Sequence, residues 1–350
     1  MTPLLSKISP IGRFLFLIHL CIGSVSAQAS EAQDLLAQAF SDYQQEKWTS
    51  AIVPLERALT LYPGYAEAHH LLGLVLSNMG NPDKAINELQ QAVDAYPQFA
   101  QAYVDLGFVY QQQSQFKKAE EAFHRALQSY PKFLEARIAL AAFYDQQQQA
   151  PKAIQAHQAV LELDPHHVNS LYGMAFWLVH EQKLAEAQPY VDQLVSLHPT
   201  YINGWLMAGS LAQQGEQVDK AIQAYQHVVS LNSKLVDPYF HLGVLYQQKE
   251  AFQEAAQAFE QVTKLDKNNA VAHVNLGVVY AALSKIDQAE EEYRTALTLN
   301  PQLAEGHYNL GLLYEFHRNA PQKALKYYEE YVRLGGQDER IQTLLKRTKS

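Results

Sequence analysis

The chain has 350 residues, a formal net charge of −9 at pH 7 and a single cysteine, Cys21. An acidic balance of this kind excludes a wide basic surface for nucleic acid or anionic lipid. Because Cys21 lies in an N-terminal segment that is predicted to be removed, the remaining chain would hold no thiol, which excludes disulfides, thiol catalysis and cysteine-based zinc sites.

The first 27 residues have the three-part order of a secretory signal peptide. Lys7 and Arg13 supply a positive start, and the apolar stretch 14–23 follows. Small residues come next, with Val25 and Ala27 at the −3 and −1 positions of a cleavage site. We therefore predict cleavage after Ala27 and export, to the periplasm or out of the cell.

Three other interpretations of this segment stay open. A membrane anchor needs roughly 20 apolar residues, whereas this stretch is much shorter and is interrupted by His19. A lipoprotein signal would attach lipid to Cys21, but Leu20 stands where a small residue should precede the cysteine. A buried first helix would find no partner helix directly after it. Export is favoured over all three.

From about residue 32 the sequence repeats every 34 residues, and such a period is typical of repeat architectures. The period shows first in a series of alanines: Ala51, Ala85, Ala119, Ala153, Ala187, Ala221, Ala255 and Ala289. Glycine or alanine precedes each of them by twelve positions, and proline follows by twelve in all but two repeats, where Ser233 and Lys267 stand instead. A ninth unit, with Gly311 and Ala324, is shifted by one residue through an insertion near Asn319.

The third unit shows the full pattern as Tyr103, Leu106, Gly107, Tyr110, Ala119, Phe123, Ala126 and Pro131. In this pattern the sequence from about Ala32 to Gly336 resembles the tetratricopeptide repeat family. The spacing of Tyr103, Leu106 and Tyr110 gives the first helix of the unit, helix A, one apolar face. Gly107 and Ala119 are small where helix A crosses the second helix, helix B. Pro131 ends helix B and redirects the chain.

The resemblance implies an all-α, right-handed α-solenoid of about nine helix-turn-helix repeats, which begin near residues 32, 66, 100, 134, 168, 202, 236, 270 and 304. One hairpin cannot bury its own apolar face, so stability accumulates by stacking and the ends need protection. We predict a solenoid over 28–336 and a C-terminal capping helix over 337–350, with Ile341, Leu344 and Leu345 on its inner side.

In members of the family, helices A line the concave surface of the superhelix, and partner segments bind there. The resemblance places the fifth and ninth positions of each repeat on that surface. We call the following candidates the groove residues: Phe40, His70, Leu74, Val104, Phe108, Ile138, Tyr172, Phe176, Leu206, Phe240, Val244, Val274, Tyr308 and Leu312. Some of them also pack neighbouring A helices together, but several of the aromatic side chains are larger than such packing requires.

The chemistry of the groove positions predicts the kind of ligand. The second and twelfth positions carry mainly amide and acidic side chains, and no lysine or arginine stands at any groove position. The expected ligand is therefore an apolar or amphipathic protein segment with some basic residues.

Two activities known in the family are not implied for this chain. Co-chaperone members grip a C-terminal carboxylate with lysine and asparagine side chains, but the matching positions here include Phe40, Gln101 and Asp105. Protein-glycosylating members carry a ladder of asparagines, of which only Asn275 and Asn309 have a counterpart.

Neither a metal site nor a catalytic site is predicted. No His-x-x-x-His pair stands with a carboxylate, and no nucleophile and base have a recognisable setting. We therefore predict no cofactor, no enzyme activity and no nucleic-acid partner. The predicted function is that of an exported protein–protein interaction scaffold, for example in the assembly of envelope complexes. Two alternatives stay open: a targeting or regulatory subunit of a transferase or other enzyme complex, and a secreted protein that acts on a host partner.

Overall fold

The computed structural model describes residues 27–349, and the regular secondary structure of that range is entirely α-helical. The predicted signal peptide, apart from Ala27, lies outside the described residues. The helices are α1 (Ala27–Gln44), α2 (Trp48–Leu61), α3 (Ala66–Asn78), α4 (Pro82–Ala95), α5 (Ala100–Gln112), α6 (Phe116–Ser129), α7 (Leu134–Gln146), α8 (Ala150–Leu161), α9 (Val168–His180), α10 (Leu184–Leu197), α11 (Ile202–Gln214), α12 (Val218–Leu231), α13 (Val236–Gln248), α14 (Phe252–Leu265), α15 (Ala270–Ala282), α16 (Ile286–Leu299), α17 (Ala304–Phe316), α18 (Pro321–Arg333) and α19 (Glu339–Lys349).

The helices follow one another as helix-turn-helix hairpins. In the pairs that run from α1 and α2 to α17 and α18, the odd-numbered helix is helix A and the even-numbered one is helix B. Helix B of one hairpin then packs on helix A of the next hairpin, as α2 does on α3 and α14 on α15. The prediction of an all-α repeat of paired helices is confirmed.

The described chain forms two compact units, which meet in sequence between Phe143 and Tyr144. In the N-terminal unit, Leu55, Leu89 and Phe123 are fully buried, one on each helix B. In the C-terminal unit, Phe259 and Tyr328 are buried to the same degree on theirs. Large buried side chains thus recur from hairpin to hairpin, and the core of each unit extends along its repeats.

Small residues allow the two helices of a hairpin to approach each other. All eight alanines of the 34-residue series are fully buried on helix B. On helix A, a Cβ added to Gly107 would lie 2.6 Å from the ring of Phe123, and one added to Gly243 would lie 2.7 Å from the ring of Phe259. Since no side chain fits in that space, the 34-residue spacing of small residues follows from the hairpin crossing.

The turns inside the hairpins share an unusual backbone feature. One residue per turn has a positive φ, and only at Gly80 is it a glycine. The others are Glu46, Ser114, Gln148, Gln182, Glu216, Glu250, Ser284 and Asn319. In the third hairpin, the amide of Gln115 then donates to the carbonyl of Tyr110 at 2.8 Å, which closes a Schellman-type C-cap.

The last helix covers the final hairpin. Helix α19 contacts α18, with Ile341 fully buried and Leu345 8% exposed. Arg340 at its start donates to both carboxylate oxygens of Glu315 at 2.9 and 3.0 Å, which ties α19 to the end of α17. Between residues 27 and 349, none of the helices combines the length and the apolar character that crossing a membrane requires.

Candidate partner-binding site

All fourteen groove residues lie on A helices, and the structure divides them by exposure. Four are buried: His70, Leu74, Val104 and Val274. Eight are half-buried: Phe40, Ile138, Tyr172, Leu206, Phe240, Val244, Tyr308 and Leu312. Phe108 and Phe176 are exposed, at 41% and 43%. The four buried side chains contribute packing, so only the other ten are accessible to a ligand.

In the N-terminal unit, Phe108 is the most accessible groove residue. Its ring meets the buried ring of Phe123 edge to face, with centroids 5.4 Å apart, and this contact holds it in place. Phe40 instead packs against the N-terminal core around Leu71. The ring of Phe108 is therefore supported by the core on one side, while its remaining surface is open to a ligand.

A buried hydrogen-bonded pair occupies the next part of the same face. The Nε2 atom of His70 on α3 lies 2.7 Å from a carboxylate oxygen of Asp105 on α5. Gln101 donates to the same oxygen at 3.2 Å, and the ring of Phe99 lies 4.8 Å from the imidazole. This groove position is thus used to join two successive A helices, and its polar atoms are satisfied within the protein.

In the C-terminal unit, aromatic side chains cluster along α9. Tyr172 and Phe176 stack with centroids 6.3 Å apart, and Phe176 meets the ring of Trp177 at 5.1 Å. Tyr201, just before α11, meets Tyr172 edge to face at 6.1 Å. Burial raises the pKa of the Tyr172 hydroxyl, so the group stays neutral at physiological pH. The structure therefore brings two groove residues together in an apolar aromatic surface.

A polar network lies beside this surface. His157 on α8 places Nε2 3.0 Å from Asp145 and Nδ1 3.2 Å from the hydroxyl of Ser170 on α9. Trp177 also donates its indole N–H to Asp145, at 2.6 Å. The order of side chains is that of a serine hydrolase triad, but Ser170 is only 1% exposed, so its hydroxyl cannot reach a substrate. The network joins two repeats.

Sequence reasoning missed this network, because His157 stands at a helix-B position that carries an apolar or aromatic residue in the other repeats. Its partners come from α7 and α9, and the 34-residue pattern holds no information about contacts of that kind. A histidine at this position was the only available signal.

An open hollow of about 480 Å³ lies between α11 and α13 on the same face. The groove residue Leu206 lines it, together with Gln213, Asp237 and His241. The imidazole of His241 stacks on the buried ring of Tyr225, with centroids 4.8 Å apart and planes 4° from parallel. Gln213 and Asp237 stand at the twelfth and second positions of their repeats, where amide and acidic side chains were predicted, whereas the approach of His241 to them was not predicted.

Half-buried groove residues near the C-terminal end also pack against neighbouring rings. Phe240 meets the buried Phe259 at 5.6 Å, and Tyr308 meets Tyr331 at 5.1 Å. In the part of the chain that the structure describes, no group of three or more His, Cys, Asp or Glu side chains is arranged to hold a metal ion. The face therefore offers apolar contact and hydrogen bonding to a ligand.

Comparison with protein families finds repeat models along most of the described chain. Models described as tetratricopeptide repeats match residues 42–106, 100–133 and 279–315. The C-terminal ARM domain of tetratricopeptide repeat protein 21 matches residues 128–274. A search of curated proteins finds no significant match.

Solved structures share the fold at low sequence identity. The C-terminal part of a TPR repeat-containing protein from Cytophaga hutchinsonii is 13% identical, with a TM-score of 0.61 over 69% of this chain and 99% of that one. PilF of Pseudomonas aeruginosa is 21% identical, with a TM-score of 0.50 over 64% of this chain and 98% of that one. YrrB, described as a TPR protein with an unusual peptide-binding site, is 18% identical, with a TM-score of 0.50 over 56% of this chain and 100% of that one.

Proposed function

We propose, from the premise that the chain is a tetratricopeptide repeat protein, that it is an exported scaffold that binds a protein segment along its A helices. The premise makes it a protein–protein interaction scaffold; the site and the location are our proposals. The observation that carries the site is the exposure of Phe108 and Phe176, at 41% and 43%, at equivalent positions of two repeats. Large apolar side chains held open in this way mark an interaction surface.

The surface suits an extended or helical segment rather than a small molecule. The accessible groove residues present rings and aliphatic side chains, with amide and acid groups beside them. An apolar or amphipathic segment would bury the ring of Phe108 on the N-terminal unit or that of Phe176 on the C-terminal unit, and basic residues in it would face the acidic side chains. We infer no catalytic role, since the buried Ser170 cannot react and an open helical face does not exclude water from a reaction.

Export is supported by the sequence of the first 27 residues. A cleaved signal peptide would release a cysteine-free protein, which suits an oxidising compartment because no thiol remains to mispair. Expression of the full chain in a Gram-negative bacterium, followed by cell fractionation and N-terminal sequencing, tests this. We expect a periplasmic or secreted product that begins at Gln28. A cytoplasmic product that retains residues 1–27 would contradict export.

The binding site is tested with peptides selected on the protein itself. Short peptides are selected by display on residues 28–350, and their affinities for the parent and for single variants are measured by fluorescence polarisation. We expect Phe108→Glu or Phe176→Glu to weaken binding by about tenfold or more, because a charge replaces buried apolar contact. Phe116→Glu is the matched control, since Phe116 is 37% exposed but lies at the start of a helix B.

Circular dichroism of each variant shows whether the helices are intact before the affinities are compared. Equal affinities for the parent and all three variants would show that the A-helix face does not bind these peptides. A loss confined to Phe116→Glu would move the binding surface to the B helices.

A further inference from the structure

We propose that the hollow between α11 and α13 receives one arginine side chain of the bound segment, with Asp237 as its ion-pair partner. This inference rests on the proposed function, because it requires a protein segment along the A helices. To that function it adds one residue type of the bound segment, arginine, and the place where its guanidinium group binds, between two neighbouring repeats of the C-terminal unit.

The hollow has the size and the construction of a side-chain pocket. Its volume of about 480 Å³ leaves room for a long side chain. Tyr225, 2% exposed, forms its floor, and His241 stacks on that ring. The hydroxyl of Tyr225 donates to Gln213 at 3.4 Å, and Gln214 donates to the hydroxyl of Ser210 at 3.3 Å. The imidazole of His241 is therefore stacked on a buried ring before a ligand arrives.

The charge of the hollow is negative and unpaired. Asp237 is exposed in the first turn of α13, and within residues 27–349 its carboxylate has no hydrogen bond and no ion pair with a lysine or arginine. No lysine or arginine lines the hollow. Burial lowers the pKa of His241, although Asp237 opposes the shift, so the ring is neutral at pH 7. One uncompensated negative charge is left to attract a cation.

A guanidinium group fits these features better than an ammonium group does. Arginine is planar, stacks on flat rings and donates hydrogen bonds in several fixed directions. Here the acceptors lie on two sides: the carboxylate of Asp237 on α13, and the side-chain oxygens of Ser210 and Gln213 on α11. Lysine would offer a compact charge that pairs with Asp237 but gains little from the face of His241.

A second hollow on the same unit is lined by arginines as well as by acids. It has about 490 Å³ and lies along α16, lined by Asp287 and Glu290 among others. Both carboxylates are already paired with Arg318, and Glu290 also accepts from Arg294. A basic ligand at this hollow would meet two arginines, whereas no lysine or arginine lines the hollow at Asp237.

The test compares peptide pools that differ at one residue. Four pools of short peptides share the same random mixture of Leu, Phe, Ala, Gln and Ser at the flanks, and hold arginine, lysine, citrulline or norleucine at the centre. Retention of each pool by immobilised protein (residues 28–350) is measured for the parent, Asp237→Asn and Glu305→Gln. Glu305 is the matched control, because it is an exposed acid in the first turn of α17, at the same position of its repeat.

We expect the parent to retain the arginine pool about tenfold better than the citrulline pool, as a charge-assisted pair predicts. Asp237→Asn should abolish this preference and leave retention of the norleucine pool unchanged, while Glu305→Gln should keep the preference. Equal retention of the lysine and arginine pools would overturn the assignment of arginine.

Two further outcomes separate this inference from the proposed function. If the parent retains all pools equally, or if its preference for arginine survives in Asp237→Asn, the pocket is not an arginine site, and the A-helix surface still binds segments. If the parent retains no pool at all, the proposed binding of segments fails and the pocket assignment fails with it.

Discussion

In several hairpins, the contact between a glycine of helix A and a ring of helix B sets the distance between the two helices. At Gly107 an added methyl group would meet three ring atoms of Phe123, all within 2.9 Å. We expect Gly107→Ala to destabilise the N-terminal unit by about 2 kcal/mol, the usual cost of overpacking a core. Thermal unfolding followed by circular dichroism measures this. Gly64→Ala is the control, because a Cβ at Gly64 meets nothing within 4 Å; an equal loss in both variants would contradict the account.

The buried pair of His70 and Asp105 makes a second prediction at this scale. Removing one partner leaves the other buried without its hydrogen bond, so His70→Leu should cost about 2 kcal/mol, whereas the double variant with Asp105→Leu should recover most of the loss. Hydrogen exchange of α3 and α5 reports this local stability. As a control, Lys249→Ala breaks an exposed pair with Asp219 and should cost less than about 1 kcal/mol. A double variant no better than His70→Leu would refute the reasoning.

His69 gives the stability of the N-terminal unit a dependence on pH. The hydrogen bond to Glu88 raises the pKa of His69; burial opposes the shift, and the carbonyl of Pro63 adds to it. Because the folded pKa lies above the unfolded value of about 6.5, the stabilisation is complete below that pH and is lost as pH rises through the folded pKa.

The parent should therefore exceed His69→Gln in thermal midpoint by more at pH 6 than at pH 8.5, and NMR titration should place the ring pKa above 6.5. A midpoint difference between the two proteins that grows with rising pH would have the wrong sign.

At the scale of elements, the turns inside the hairpins are positions where a substitution can increase stability. An ordinary residue with positive φ costs roughly 1 to 2 kcal/mol, which glycine avoids, although glycine loses more entropy on folding. Ser114→Gly should therefore raise the unfolding midpoint by the equivalent of about 0.5 kcal/mol, and Gly80→Ser should lower it. Gln112→Gly, in the last turn of α5, should also lower it. A loss on Ser114→Gly would show that these turns carry no strain.

The hairpins themselves could be predicted from the sequence, because each depends on contacts that recur with the 34-residue period. Small residues such as Ala119 recur where two helices cross, and all eight members of that series are buried. The turn conformation could not be predicted in the same way. Gly80 is the only glycine among the positive-φ positions that end the A helices, and Glu216 or Gln148 carries no preference for that backbone.

From the sequence, only the helix-A face that carries the candidate site could be predicted. Periodicity places side chains on helix A, but it does not say which of them a neighbouring helix will cover. Val104 and Phe108 occupy equivalent positions of successive turns, yet Val104 is 2% exposed and Phe108 is 41% exposed. Residues of three helices line the hollow at Asp237. Its hydrogen-bond acceptors come close to one another only after the repeats have stacked.

At the scale of the whole molecule, stability and binding draw on the same repetition. Each hairpin leaves apolar surface that the next one covers. Each of the two compact units is therefore stabilised by the sum of the contacts between neighbouring hairpins rather than by one central core. The rings that stay open after stacking are the ones available to a partner. Binding a segment across several hairpins should therefore stabilise them together, since a ligand that binds only the folded form shifts unfolding by mass action.

The most direct test of the account is photo-cross-linking in living cells that express the full chain. The photoreactive residue p-benzoylphenylalanine replaces Phe108, Phe176 or the control Phe116, one at a time. We expect one partner protein to cross-link from Phe108 or Phe176, outside the cytoplasm, and not from Phe116. A partner that cross-links from Phe116 alone would contradict binding along the A helices.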